Sequence, residues 1–340
     1  MTLLSIDNLG LRLPGTGMRP ILDGIDLTVG TGEIVGLVGE SGSGKSVTAR
    51  AVLGLTPPAS VVTGDVRVDD IDVRKATAAE LRRLRTSIVS MVFQDPRAGI
   101  NPIRRVGDFM TESVTRNLGW KQRRADARAT ELLAAVGMPD PARHLTQHPH
   151  ELSGGMLQRV MIAAALMTDP GLLLCDEPTT ALDVTTQAEI LSILTRLQAS
   201  RGMGMLFITH DLDLAAAVCD RVYVMYAGRV VERATAADLF AAPRHPYTAG
   251  LLASTPDLNR CDERLVPIIG SPLSLLEQPI GCSFGARCSF AMDGCRDAPP
   301  RLAVVPEDGA SHSVACFRAA EIAQQLSALG RIHHTAGELS

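Results

Sequence analysis

The sequence predicts an α/β protein with a mostly parallel sheet at its centre and a small, irregular module behind it. Three observations predict this. Short apolar runs at 33–38, 172–177 and 204–211 recur between helical patterns, as expected of buried parallel strands. A glycine-rich stretch, "GESGSGKS" (39–46), follows the first run directly and opens a helical pattern. Near Phe240 the composition shifts to proline, glycine and cysteine, and periodicity fades.

The elements follow in order. Residues 3–9 and 25–29 read as short strands around the turn-rich "PGTGMRP". The buried strand 33–38 leads into a helix from Lys45 to about Leu55, ended by Pro57-Pro58. Residues 66–73 and 87–93 read as strands, and Gly107 to Ala135 is rich in charge and helix formers. The apolar run "LLLCDE" (172–177) precedes Pro178, and a helical pattern at 187–199 leads to "GMLFITHD" (204–211). Residues 221–225 and 229–233 form a hairpin around Ala227-Gly228. No repeat of 20–50 residues stands out, and the last 15 or so residues read as a frayed tail.

Composition narrows the function. The chain has 340 residues, 46% of them hydrophobic, enough for a sizeable core and against disorder. A net charge of −4 gives no global basic field for nucleic acid, and 3% aromatics argue against a base-stacking surface. The N-terminus has no secretion-signal pattern, and no run of 18 apolar residues occurs. A cytosolic chain is expected, with any membrane role peripheral and through partners. Of seven cysteines, Cys175, Cys219 and Cys261 are scattered, whereas Cys282, Cys288, Cys295 and Cys316 crowd the last sixth. A reducing compartment favours metal binding or free thiols over disulfides.

Glycine in a folded element costs about 0.5–1 kcal/mol relative to alanine, so a run of glycines needs a compensating role. G-x-x-x-x-G-K-[ST] between a strand and a helix is a phosphate loop. Its backbone N–H groups turn toward phosphate oxygens, and the helix adds its positive end. In this pattern Lys45 reaches the β- and γ-phosphates and Ser46 ligates Mg²⁺. Asp176 ends a buried strand, where a carboxylate suits Mg²⁺, and Glu177 is placed to polarise an attacking water. Taken alone, the two acids also fit a solvated strand end. His210 ends the next apolar strand, where it suits a γ-phosphate contact or an ordinary strand cap. Gln94, after "IVSMVF", is a weaker candidate for the Mg²⁺ and the water.

The stretch "HELSGGMLQRVMIAAALMTDPGLLLCDEPTTALD" (150–183) places Leu152-Ser153-Gly154-Gly155 at the head of an apolar helix. Ser-Gly-Gly at a helix N-terminus is a second anion cradle, and two cradles in one chain suggest two chains sharing each nucleotide. Residues 3 to about 235 closely resemble the ATP-binding subunit of ABC transporters. The resemblance implies a P-loop NTPase cassette with a mixed-sheet core and a helical subdomain at about 95–160, over 1–239. It implies that Gly39, Glu40, Ser41, Gly42, Ser43, Gly44, Lys45, Ser46 and Val47 hold ATP. Ser46, Gln94 and Asp176 would serve Mg²⁺, and Gln94 would lie in the loop facing the membrane subunit. Ser153, Gly154, Gly155 and Met156 would close over the partner's ATP, with Ala181-Leu182-Asp183 bridging the dimer. Glu177 would be the catalytic base and His210 the switch histidine of an ATPase.

Two departures stand out. Met156 occupies a position where glutamine is commonest, as in many peptide importers. Leu11-Arg12-Leu13 replaces the usual adenine-stacking aromatic, so apolar contact would take its place.

"PRHPYTAGLLASTP" (243–256) and "GCSFGARCSFAMDGC…HSVAC" (281–316) resemble the C-terminal extension of oligopeptide and dipeptide importers, a subgroup that includes nickel importers. That extension is placed at 240–325 and the tail at 326–340. The four cysteines are separated by five, six and twenty residues, which lacks the C-x₂-C pairs of structural zinc. Zinc, free thiols and an iron–sulfur cluster stay open on spacing; the resemblance implies a [4Fe–4S] cluster in some members.

The expected function is ATP-driven import of di- and oligopeptides, with nickel or another small solute as the alternative and a non-transport ABC ATPase behind both. The resemblance implies a second, different cassette, two transmembrane permease subunits and an extracytoplasmic binding protein as partners. It places the chain at the cytoplasmic face of the cell membrane, with no nucleic acid involved.

Overall fold

A computed structural model describes residues 1–14, 19–180, 182–254, 267–277, 279–308 and 311–331. Ala181 and Cys261, singled out above, lie outside the described residues. Strands β1 (Thr2–Arg12), β2 (Leu22–Gly30) and β3 (Ile34–Val38) lead into helix α1 (Lys45–Val52). Strands β4 (Val61–Val68) and β5 (Ile71–Asp72), helix α2 (Ala78–Arg83) and strand β6 (Val89–Val92) follow. The helical region comprises α3 (Val106–Leu118), α4 (Gln122–Ala135), α5 (Pro141–Thr146) and α6 (Gly154–Ala165). Next come β7 (Leu172–Asp176), α7 (Val184–Arg201), β8 (Gly204–Thr209), α8 (Leu212–Val218), β9 (Arg221–Tyr226) and β10 (Arg229–Thr235). The chain continues through α9 (Ala236–Ala241), α10 (Pro246–Ser254), β11 (Ala303–Val304), β12 (Ser313–Val314) and α11 (Ala323–Arg331).

One sheet has four strands in the order β2-β1-β4-β5, all antiparallel. The other has eight, in the order β11-β12-β10-β9-β3-β8-β7-β6. Its five strands from β9 to β6 are parallel, and β10, β12 and β11 extend it antiparallel. The central strands read as continuous apolar runs because both of their faces are covered. Ile34 and Val38 of β3, with Leu173 and Cys175 of β7, face the core shared with α6 and α7. Their alternates Val35, Leu37, Leu172 and Leu174 face the core shared with α1 and the four-stranded sheet.

Several expected boundaries move, each for a local reason. Helix α1 stops at Val52 because Gly54, at φ 64°, takes the left-handed position that closes a helix, well before the prolines. The strand expected at 66–73 turns at Asp69, φ 52°, and returns as β5. The charged segment 107–135 is two helices, broken at Gly119 with φ 65°. The expected frayed tail begins inside α11, where Leu326 is buried against Ile322 and Ala249; residues 332–340 lie outside the described residues.

The C-terminal module is sewn into the cassette. Strand β12 pairs with β10 through Glu232↔Val314 and Arg233↔Ser313. No helix among the described residues is long and apolar enough to cross a membrane.

Candidate functional site

Strand β3 delivers the loop 39–44 to the N-terminus of α1, and two glycines make its path possible. Gly39 has φ 149°, and a Cβ there would lie 2.2 Å from the Met225 carbonyl oxygen. Gly44 has φ 106° at the helix N-cap, and a Cβ would press the Leu22 side chain at 2.8 Å. Side chains are excluded at both positions.

Lys45 is buried, and its Nζ donates to the carbonyl oxygens of Gly39 at 2.7 Å and Glu40 at 3.0 Å. Burial lowers its pKa, opposed by Glu177, Asp176 and Glu40. Ser46 Oγ donates to Asp176 Oδ1 at 2.8 Å, joining α1 to the end of β7. Burial raises the Asp176 pKa, and the Ser46 hydrogen bond works the other way. Two hard oxygen donors in contact, one of them a carboxylate disfavoured by burial, suit a divalent cation.

Glu177 follows Asp176 with φ 49°, a left-handed conformation that costs a non-glycine residue about 1 kcal/mol or more. Its backbone N–H donates to the Ile208 carbonyl at 3.0 Å, which fixes this turn. Three side chains then converge on Glu177 Oε2. Gln94 Nε2 donates at 2.9 Å, Thr180 Oγ1 donates at 3.0 Å, and His210 Nδ1 lies 3.3 Å away. A carboxylate held by its neighbours beside a phosphate loop is equipped to orient and deprotonate a water.

One pocket brings most of these parts together, although Gly39 and Asp176 are not among its lining residues. It is lined by the loop from Glu40 to Val47 except Ser43, and by Gln94, Glu177, Thr180 and His210. Ile21, Leu251 and Leu275 complete its wall, which is the apolar surface available where an aromatic is missing at Leu11-Arg12-Leu13. Ser43 lies beneath the loop, and its buried hydroxyl has no hydrogen-bond partner among the described residues.

Ser153, Gly154, Gly155 and Met156 do not line this pocket. They sit at the head of α6, where Ser153 Oγ accepts the Met156 N–H at 3.3 Å. A Cβ on Gly155 would lie 2.6 Å from Thr186 Cγ2, so the turn packs against the start of α7. Asp183 caps α7 by accepting the Thr186 N–H at 3.0 Å.

Cys282, Cys288, Cys295 and Cys316 line one small pocket, together with Phe284 and Phe290 among others. The Cys282 N–H donates to the Cys295 carbonyl at 2.8 Å, which brings the two segments together. Burial pushes the Cys288 and Cys316 thiols up to about 11 and raises Cys282 as well. Among the described residues no three His, Cys, Asp or Glu side chains are grouped to hold a single metal ion. Cys175 and Cys219 are buried core residues with raised thiol pKa values, also from burial.

Sequence reasoning missed Thr180 and the apolar wall of Ile21, Leu251 and Leu275. It also missed two C-terminal residues on the loop, Tyr247 and Arg287. Thr180 sits three positions after Glu177, a spacing that could have flagged it. The others are brought in by tertiary packing alone.

Comparisons with known proteins identify the family. The profile of the ABC transporter family matches residues 22–180, and that of the oligopeptide/dipeptide transporter C-terminal region matches 231–295. A putative peptide import ATP-binding protein of Brucella ovis is 44% identical over 312 residues, 88% of this chain and 91% of that protein. The chain belongs to the ABC transporter family. The oligopeptide transport ATP-binding protein OppD of Haemophilus influenzae is 42% identical, covering 87% of this chain and 92% of that protein. The dipeptide transport ATP-binding protein DppD of Bacillus subtilis is 41% identical, covering 92% and 94%. A dimeric ATP-binding cassette solved in a post-hydrolysis state with ADP and Pi superposes with a TM-score of 0.60 at 28% identity, over 69% of this chain and 99% of that one. This chain has the ABC cassette fold, and its activity is that of an ABC ATPase.

Proposed function

We propose that the chain is the ATP-hydrolysing subunit of an importer of di- and oligopeptides. The observation that carries the reading is a Glu177 carboxylate held by Gln94 beside the glycine loop, in one chain with a match to the oligopeptide/dipeptide transporter C-terminal region. The relatives named above, described as peptide import, oligopeptide transport and dipeptide transport ATP-binding proteins, support the same solute class. A same-subgroup importer of nickel or another small solute is the second reading.

In the proposed cycle ATP lies along the loop 39–47, its base against Ile21, Leu251 and Leu275. Lys45 exchanges the carbonyls of Gly39 and Glu40 for phosphate oxygens. Ser46, Asp176 and the side-chain carbonyl of Gln94 are the residues that would hold Mg²⁺. When bound, the ion neutralises charge on the β- and γ-phosphates. Glu177 takes a proton from the attacking water as its oxygen bonds to the γ-phosphorus and the bond to the β-bridging oxygen breaks. Gln94, Thr180 and His210 hold the carboxylate in place for that transfer.

The Ser153-Gly154-Gly155-Met156 turn lies outside its own chain's pocket, which supports its closing on the ATP of a second cassette. A heterodimer of cassettes, two transmembrane permease subunits and an extracytoplasmic binding protein complete the proposed assembly. The chain would sit peripherally on the cytoplasmic face of the membrane. Exposed Phe93, which precedes Gln94 directly, and exposed Ile103, nine residues after it, would give that face apolar contacts for a permease. The division into a cassette at 1–239, a helical subdomain at about 95–160, an extension at 240–325 and a tail from 326 belongs to this reading.

The four cysteines are assigned to a [4Fe–4S] cluster. The donor set fits: four thiols around one pocket, with no carboxylate among its lining residues. Thiolates sharing one zinc lie within about 4.6 Å of one another, since each Zn–S bond is about 2.3 Å. A cluster places each thiolate on its own iron and does not require that crowding.

Co-purification from the native membrane, reconstitution in vesicles and uptake assays test the function. ATP-dependent uptake of labelled di- and tetrapeptides is expected. Uptake of nickel without peptides would replace the first reading with the second.

A further inference from the structure

Glu40 lies inside the phosphate loop, yet its contacts run to the C-terminal module. Its carboxylate faces the Arg287 guanidinium in a two-pronged pair, Nη1 to Oε2 at 2.8 Å and Nη2 to Oε1 at 3.1 Å. The Arg287 side chain is 8% exposed. Its Nε donates to the Ile269 carbonyl at 3.1 Å, and its guanidinium carbon lies 5.8 Å from the ring centres of Tyr226 and Phe284. The Glu40 backbone N–H is held separately: it donates to the buried Tyr247 hydroxyl at 2.8 Å. Tyr226, Tyr247 and Phe284 pack on one another with centroids 4.7–5.3 Å apart.

We propose that Arg287 and Tyr247 are positioning residues for ATP binding, through which the C-terminal module holds the phosphate loop at Glu40. Two physical effects follow from the geometry. The Glu40 carbonyl that receives Lys45 belongs to a residue clamped at its N–H and its carboxylate, so the loop path is fixed before ATP arrives. A carboxylate beside a polyphosphate site also repels the ligand, and Arg287 neutralises it. Planar, two-pronged pairing suits arginine and not lysine. This inference rests on reading residues 39–46 as the ATP loop.

The test uses the full chain and ATP itself, by titration calorimetry, with turnover measured in the reconstituted transporter. Arg287→Met is expected to weaken ATP binding about tenfold, or about 1.4 kcal/mol. Turnover at saturating ATP should stay at the wild-type level, so KM moves and kcat does not. Adding Glu40→Gln to Arg287→Met should recover part of the affinity, roughly threefold of the tenfold loss, because the uncompensated charge is gone while the clamp on the loop stays absent. An arginine that merely folds the module would give no recovery at all, and the absence of any recovery overturns the proposal. If Arg287→Met does not fold, Tyr247→Phe removes only the hydroxyl acceptor and should also weaken ATP binding. Variants that bind ATP as tightly as a binding-competent wild type overturn the positioning role alone. A wild-type chain that does not bind ATP overturns the ATPase reading and this inference with it.

Discussion

The side-chain amide of Gln94 donates to the carboxylate of Glu177 across 2.9 Å and ties the segment after β6 to the end of β7. Gln94 precedes the exposed segment around Ile103, so a shift of that segment would move the proposed base directly. The link lies within one chain, and coupling through it needs no long path.

Glu177→Gln should therefore leave ATP bound and stop its hydrolysis. The amide keeps hydrogen-bonding capacity toward Thr180 and Gln94 but cannot accept the proton from water. General-base loss of this kind lowers turnover by about 10²–10⁴-fold. Phosphate release and ATP titration on the same sample read the two effects apart. Wild-type turnover would remove Glu177 from its assigned role.

Much of the candidate site that the structure groups in one pocket was legible in the sequence, because its geometry is local. A glycine loop between strand and helix, and acids at a strand end, keep their meaning without knowledge of the rest of the chain. Gln94 is the exception: its partner Glu177 is 83 residues away, and only the parallel pairing of β6 with β7 brings them together. Arg287 was not legible for the same reason, being 247 residues from Glu40. The chain path between the cysteines was also hidden, since weak periodicity in 240–325 gives no register. Element ends moved where a single positive φ, as at Asp69 after a strand or Gly54 after a helix, decided the turn.

Glu232 should prove the main polar tether between the cassette and its C-terminal module. It is fully buried and accepts three hydrogen bonds, from the Arg244 N–H at 2.6 Å, the His245 N–H at 3.0 Å and His312 Nε2 at 2.8 Å. Glu232→Ala leaves those donors without their acceptor, a loss on the order of 3–5 kcal/mol. Urea unfolding measures it, and a change below about 1 kcal/mol would mean the donors find other partners.

Acid should destabilise the protein through His245. Its ring is buried, Nδ1 accepts the Tyr247 N–H at 3.1 Å, and burial lowers its pKa to about 3. The folded state thus holds it neutral, whereas the unfolded chain protonates it near 6.5. A depressed folded pKa gives stability that is present above the unfolded value and lost as pH falls toward the folded one. Between pH 7 and pH 5 the loss is about 2 kcal/mol. His245→Asn should shrink that difference in paired urea melts, and an unchanged pH dependence would assign the acid sensitivity elsewhere.

The cysteine pocket gives the last prediction. Four thiols converge there: Cys282, Cys288 and Cys295 come from one continuous segment, and Cys316 arrives from beyond β12. The Cys282, Cys288 and Cys316 thiols, raised by burial, would stay protonated and colourless at neutral pH if no metal bound them. A cluster instead replaces those protons with iron and absorbs visible light. The chain purified without oxygen should be brown and carry about four irons per copy. Cys288→Ser or Cys316→Ser should lose both the colour and the iron, because each removes one thiolate of the set. Secondary structure and ATP binding, measured on the same variants, separate loss of the cluster from loss of the fold. A colourless wild type with about one zinc per chain would assign the cysteines to a zinc ion, and one with no metal would leave them as free thiols.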